Sequence, residues 1–111
     1  MQEPIRRTLY HLRITGNYRG TRQLACAIEL VLEDDSRLLS VIREIYTPVA
    51  ERCGCNVETI ERNIRTVIFR VWHTRRKALI ELAGYPMDAP PTVSEFIAIL
   101  ADYIRAQTIS K

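Results

Sequence analysis

Between Asn56 and Trp72 the chain reads NVETIERNIRTVIFRVW, and its aliphatic residues recur at helical spacing. Placed about 100° apart around an axis, Val57, Ile60, Ile64, Val67, Ile68 and Val71 fall in one arc of roughly 100°, with Trp72 at its edge. That stripe predicts an amphipathic helix from Asn56 to about His73, packed on a core through its Val/Ile side. Asn56 is suited to cap it, and Glu58 lies in its electropositive first turn.

The flanks of this helix carry different chemistry. Glu58, Glu61, Arg62, Arg65 and Phe69 lie on one side of the stripe, and Thr59, Asn63, Thr66 and Arg70 on the other. Two readings compete. Glu58 with Arg62 and Glu61 with Arg65 are i,i+4 pairs in the favourable order, each contributing about 0.2–0.5 kcal/mol to a solvated helix. Alternatively the face reads nucleic acid, since Arg bonds guanine O6 and N7 in bidentate fashion and Glu accepts from cytosine N4.

The preceding residues favour the second reading. Thr47-Pro48 opens a short helix, with Thr as a cap and Pro at a first-turn position. Gly54 ends it, where a turn needs a permissive backbone. Ala50 is small where two helices would cross, and Ile60 lies where the second must meet the first. A short helix, a turn over Gly54-Cys55-Asn56 and a long helix is the helix-turn-helix layout. In that motif the first half of the second helix enters the major groove. The candidates there are Glu61, Arg62, Asn63, Arg65 and Thr66 for base edges, with Thr59 and Asn56 for the backbone.

The rest of the chain is helical too. Four Gly and 7% aromatics argue against a sandwich or barrel. Residues 5–14 place Ile5, Leu9 and Leu12 on one face. TGNYRG then breaks the pattern with two glycines. Residues 21–33 resume it through Leu24, Ala27, Ile28, Val31 and Leu32. EDDS ends that helix and supplies caps for the next, in which Leu38, Leu39, Ile42, Ile45 and Tyr46 continue helically. RRKALIELAG is a short helix closed by Gly84, and YPMDAPP is a loop. Thr92 and Glu95 form a capping box before a final helix with Phe96, Ile97, Leu100, Tyr103 and Ile104 on its apolar side. The expectation is an all-α fold of six or seven helices, a single domain over residues 1–111.

Charge points to a polyanion. The net charge is +3, but 14 of the 16 cations are Arg, the residue of planar, bidentate phosphate and guanine recognition; a genome favouring Arg codons would produce the same bias. Residues 36–77 sum to +5 and residues 1–28 to +4, a basic excess around the predicted motif. Arg75, Arg76 and Lys77 could hold phosphates, although complementing a helix carboxy terminus is the favoured role. Arg19 and Arg22 flank a helix start and are further backbone candidates, although exposed arginines without a role are the favoured reading. Phe69 is expected against a neighbouring helix, with a dimer contact as the other option.

Several classes are excluded. No Gly-rich phosphate loop, nucleophile with a base, or acid pair in an apolar context is present, so no enzyme is expected. Cys26, Cys53 and Cys55 are odd in number, and MQEPIRRTLYHL lacks the apolar core of a signal peptide. Free thiols in a reducing cytoplasm fit best. Cys53-x-Cys55 is not a usual zinc spacing, and His11 and His73 read as surface or half-buried residues, so neither metal nor cofactor is expected. No apolar run approaches bilayer length, so no membrane span is expected.

Four stretches resemble one family. YRGTRQLACAIELVLED, IYTPVAERC, IERNIRTVIFRVW and PPTVSEFIAILADYIR are similar, in order and at nearly unchanged spacing, to the carboxy-terminal DNA-binding effector domain of the stage-zero sporulation response regulator. The resemblance covers roughly residues 5–107. It implies an all-helical effector domain in which Glu61, Arg62 and Arg65 contact bases. It also implies head-to-tail binding to tandem sites and contact with RNA polymerase sigma factor through exposed helices.

The departures are informative. Asn63 stands where the family has alanine and Thr66 where it has histidine, so base preference is expected to differ. The proline of IYTPVA is one position later, and the loop at 85–91 is shorter. No phosphoacceptor receiver domain accompanies the match; an excised effector domain and a stand-alone relative both fit. The expected function is a cytoplasmic, nucleoid-acting, sequence-specific regulator of transcription that binds double-stranded DNA. The alternative is a helical interaction module that contacts sigma factor or another regulator without binding DNA.

Overall fold

The computed structural model describes residues 3–15 and 19–109, and the described residues form an all-helical fold. Six α-helices follow one another: α1 (Glu3–His11), α2 (Arg19–Glu33), α3 (Thr47–Cys53), α4 (Val57–Thr74), α5 (Arg76–Ala83) and α6 (Val93–Ile109). A 3₁₀ turn (Asp35–Leu39) and a π-helical turn (Ile42–Tyr46) join α2 to α3.

Helices α2 and α6 form the centre. Leu24, Ala27, Ile28, Leu30 and Val31 of α2 are buried, as are Val93, Phe96, Ile97, Ile99, Leu100, Ala101 and Ile104 of α6. Such nearly all-round burial marks a helix enclosed by its neighbours. Helix α4 packs on α2 and α6 through its aliphatic stripe, and α1, α3 and α5 close the remaining sides.

The predicted caps form by short-range hydrogen bonding. Thr92 N donates to Glu95 Oε1 at 2.8 Å, and Glu95 N donates to Thr92 Oγ1 at 3.2 Å, completing a reciprocal capping box. Asp34 caps the 3₁₀ turn by accepting from Ser36 N at 3.0 Å. Gly84 closes α5 in the left-handed region, φ 80°, which glycine adopts without steric cost.

Gly20, read as part of a loop, lies instead in the first turn of α2. A Cβ there would fall 2.8 Å from the backbone O of Asn63 and 2.8 Å from Cγ2 of Val67. The glycine permits close approach of α2 to α4 rather than a turn. The rest of the predicted break, residues 16–18, lies outside the described residues.

The segment over Leu38–Tyr46 is not one regular helix. Its 3₁₀ turn ends at Leu39, with Ser40 as the cap, and its π turn runs without interruption into α3. Thr47 is already helical and does not cap α3; its hydroxyl donates back to Ile42 O at 2.9 Å. Pro48 supplies the physical reason. It has no N–H to offer the carbonyl of Glu44, four residues back, and its ring crowds that carbonyl. The turn widens, and Arg37 Nη1 donates to the freed Glu44 O at 2.7 Å.

Two more arginines meet carbonyls in the same way. Arg105 Nη2 donates to Val31 O near the end of α2 at 2.7 Å, while its Nη1 reaches Asp35 at 2.7 Å. Arg75 Nη2 donates to His11 O, at the end of α1, at 3.2 Å. Carbonyls in the last turn of a helix have no partner within it. Part of the arginine bias is thereby explained by helix ends and not by ligand recognition.

Candidate nucleic-acid interface

The interface candidate is built from α3, the turn at 54–56 and α4. Gly54 is left-handed, φ 68° and ψ 38°, and donates to Ala50 O. Cys55 N donates to the same oxygen at 3.0 Å, so the turn closes on the end of α3. The backbone then extends at Asn56, whose Oδ1 accepts from Thr59 N and from Thr59 Oγ1, both at 2.8 Å.

One side of α4 is sealed. Ile60 and Ile64 are fully buried, and Val67, Ile68, Val71 and Trp72 nearly so. The opposite side faces outward: Glu58, Arg62, Arg65, Thr66, Phe69 and Arg70 are exposed, and Glu61 is half-buried. Arg65 Nη2 lies 3.6 Å from Glu61 Oε2. An exposed i,i+4 pair of this kind contributes only about 0.3–0.5 kcal/mol, so the fold does not depend on it. It does orient the guanidinium beside the carboxylate. Glu58 forms no matching ion pair with Arg62 among the described residues, which leaves the Arg62 head without that carboxylate.

Beneath this ridge lies Tyr46, buried at the end of the π turn. Burial pushes its phenol up to about 12, the negative charge of Glu61 adds to the shift, and Arg65 partly offsets it.

Asn63 is placed differently from its neighbours. It is half-buried, and its Nδ2 donates to Oε1 of Gln23 on α2 at 3.0 Å. Gln23 is itself buried, and its Nε2 donates to Cys55 Sγ at 3.8 Å. Thr66 is exposed and its Oγ1 donates to Arg62 O at 2.9 Å, which leaves the oxygen its capacity to accept. Glu61, Arg62, Arg65 and Thr66 thus share one outer surface, while Asn63 joins α4 to α2.

The backbone-contact candidates divide. Asn56 and Thr59 are bonded to each other at the amino end of α4. Arg75 is bonded to His11 O. Arg76 lies with its guanidinium carbon 4.2 Å from the centroid of Trp72 and donates to Trp72 O at 3.4 Å, stabilising the last turn of α4. Helix-end complementation, the favoured reading of this cluster, describes both arginines. The side chain of Arg19 lies outside the described residues. Phe69, expected against a neighbouring helix, is instead half exposed and stacks on His73 of its own helix, 6.2 Å between centroids.

Sequence reading missed Gln23 and Tyr46. Gln23 looks like an ordinary polar residue on α2, and only the facing position of Asn63 shows its use. For Gly20 a signal existed: it stands four residues before Leu24 and so continues the buried stripe.

An outward Glu/Arg ridge on a long helix, preceded by a short helix and a glycine turn, is compatible with the helix-turn-helix of transcription regulators. The chain belongs to the family described as Sporulation initiation factor Spo0A C terminal, which matches residues 5–104. That family is a DNA-binding effector domain acting in sporulation and transcription regulation, and not an enzyme. No helix among the described residues is long and apolar enough to cross a membrane.

Proposed function

We propose that this chain is a sequence-specific reader of duplex DNA that inserts α4 into the major groove and regulates transcription. Glu61, Arg62 and Arg65 read base edges, and Thr66 offers a methyl and an acceptor beside them. Asn63, tethered to Gln23, sets the depth and rotation of the helix. The amino end of α4, closed by Asn56 and Thr59, approaches a phosphate with its positive dipole end. Arg75 and Arg76 chiefly stabilise helix ends and, with Arg19, are the further candidates for backbone contact.

One observation carries this reading: the side of α4 opposite its sealed aliphatic face is a convex Arg/Glu ridge that the fold does not use for its own stability. Selection from a random duplex library, followed by a salt titration of the selected site, tests it. A defined site and a steep loss of affinity with salt are expected. Absence of duplex binding at low salt would refute it.

Exposed apolar residues favour a second reading alongside the first. Leu39 is 89% exposed and Ile42 65% exposed just ahead of α3, an arrangement suited to a protein partner such as RNA polymerase sigma factor or a second copy bound head to tail on a tandem site. In its strict form this reading is an interaction module that binds no DNA, and the same titration separates the two. A duplex-reading regulator acts in the cytoplasm at the nucleoid.

A further inference from the structure

Three thiols gather where α2 meets α3. Cys26 lies on α2, Cys53 is the last residue of α3, and Cys55 is in the turn; all three are free, partly buried and packed against the core. Arg52 Nη1 donates to Cys26 Sγ at 3.7 Å, and Gln23 Nε2 to Cys55 Sγ at 3.8 Å. Gln23 and Cys26 are three residues apart on α2 and so share a face. Arg52 and Cys55 bracket Cys53 in the chain, so both contacts tie the end of α3 to that face of α2. Burial pushes the Cys53 thiol up, and the nearby Cys26 and Cys55 thiols push further, against the opposing charge of Arg22. Among the described residues no three His, Cys, Asp or Glu side chains are placed to hold a metal ion, so the cluster is not built as a metal cage.

We propose that Cys26 and Cys53 form a reversible disulfide in response to hydrogen peroxide, and that this bond weakens DNA reading through Gln23. Cys26, with a guanidinium beside its sulfur, attacks the peroxide; the O–O bond breaks, giving a sulfenic acid on Cys26 and one water. The Cys53 sulfur then attacks the sulfenic sulfur, and the hydroxyl leaves as a second water with the remaining thiol proton. Two electrons pass from the two sulfurs to the peroxide oxygens, and a dithiol reductant reverses the bond. The crosslink draws the end of α3 onto α2. Gln23, one turn before Cys26, bonds both Cys55 in the turn and Asn63 on α4, so displacement at the thiols reaches the recognition helix through two hydrogen bonds.

The chemistry of this inference stands alone; its effect on binding rests on the DNA-reading function proposed above. Peroxide treatment followed by peptide mapping should show a Cys26–Cys53 link, reversed by dithiothreitol. Affinity for the selected duplex should fall at least about fivefold on oxidation. Variants Cys26→Ser and Cys53→Ser should bind equally with and without peroxide, while Cys55→Ser keeps the link. A Cys53–Cys55 link, independent oxidation of separate thiols, or a Cys26–Cys53 bond with unchanged affinity would overturn it. Should the reduced protein bind no duplex, the DNA-reading function fails. The side-chain amide resonances of Gln23 and Asn63 then decide: a shift on oxidation supports the coupling, and unmoved resonances refute it.

Discussion

The side-chain amide of Asn63 donates to Gln23 Oε1 at 3.0 Å and joins α4, the proposed recognition helix, to the central helix α2. The partners are 40 residues apart in the chain, so the bond reports tertiary placement and not local propensity. Gln23→Ala would leave the half-buried Asn63 amide without its acceptor, at a cost of about 1–3 kcal/mol. Chemical denaturation should show that loss, and duplex affinity should fall with it because α4 loses a positioning contact. Unchanged stability would mean that the amide is satisfied by water.

Arg62→Ala and Arg65→Ala should behave in the opposite way. Both side chains are exposed and neither supports the core. Each substitution should relax discrimination at one base position by about 1–3 kcal/mol, with the helical circular-dichroism signal retained. Competition binding against single-base variants of the selected site measures this.

Ile64 is fully buried on the same helix. Ile64→Ala should destabilise the protein by about 2–5 kcal/mol, while base preference in the remaining folded fraction stays as before. A changed preference with full stability would reverse the roles assigned to the two faces of α4.

Gly20→Ala inserts a methyl group where Asn63 O and Val67 Cγ2 each lie 2.8 Å away. Neither helix can yield without moving its neighbours, so a loss of about 1–3 kcal/mol is expected. Helix propensity alone predicts a gain from the same change, so thermal denaturation decides between the two effects by sign.

Asp34 gives a pH signature. Bonds from the Ser36 hydroxyl and N–H hold its carboxyl below the ordinary value of 3.8. A carboxyl whose folded pKa is depressed stabilises the fold above its unfolded value, and that contribution is lost as pH falls through the folded value. Asp34→Asn should therefore flatten the dependence of stability on pH below about 3.8 and leave the slope near neutrality unchanged.

Much of this architecture was legible because it follows from short-range spacing. The stripe through Ile60, Ile64 and Val71, the Thr92–Glu95 box, the Asn56 cap and the left-handed turns at Gly54 and Gly84 involve residues within one or two turns of each other. The outward position of Glu61, Arg62 and Arg65 follows from the same periodicity. What could not be read depends on which helices face one another. Arg37, Arg75 and Arg105 resemble ligand-binding cations until the carbonyls they meet are located. The Pro48 position suggested a helix start, but the chain was already helical before it, and the missing N–H widened the preceding turn instead. Gln23 meets α4 from another element, which periodicity within α4 cannot reveal.

The contact at Gly20 has an evolutionary corollary. Where a helix meets its neighbour through a glycine, any larger residue on that side forces the two apart, so the approach of α2 to α4 depends on Gly20 and on the Val67 methyl it faces. On the proposed DNA-reading role, base preference can vary through changes on the outer ridge of α4 while this contact holds the angle at which the ridge is presented.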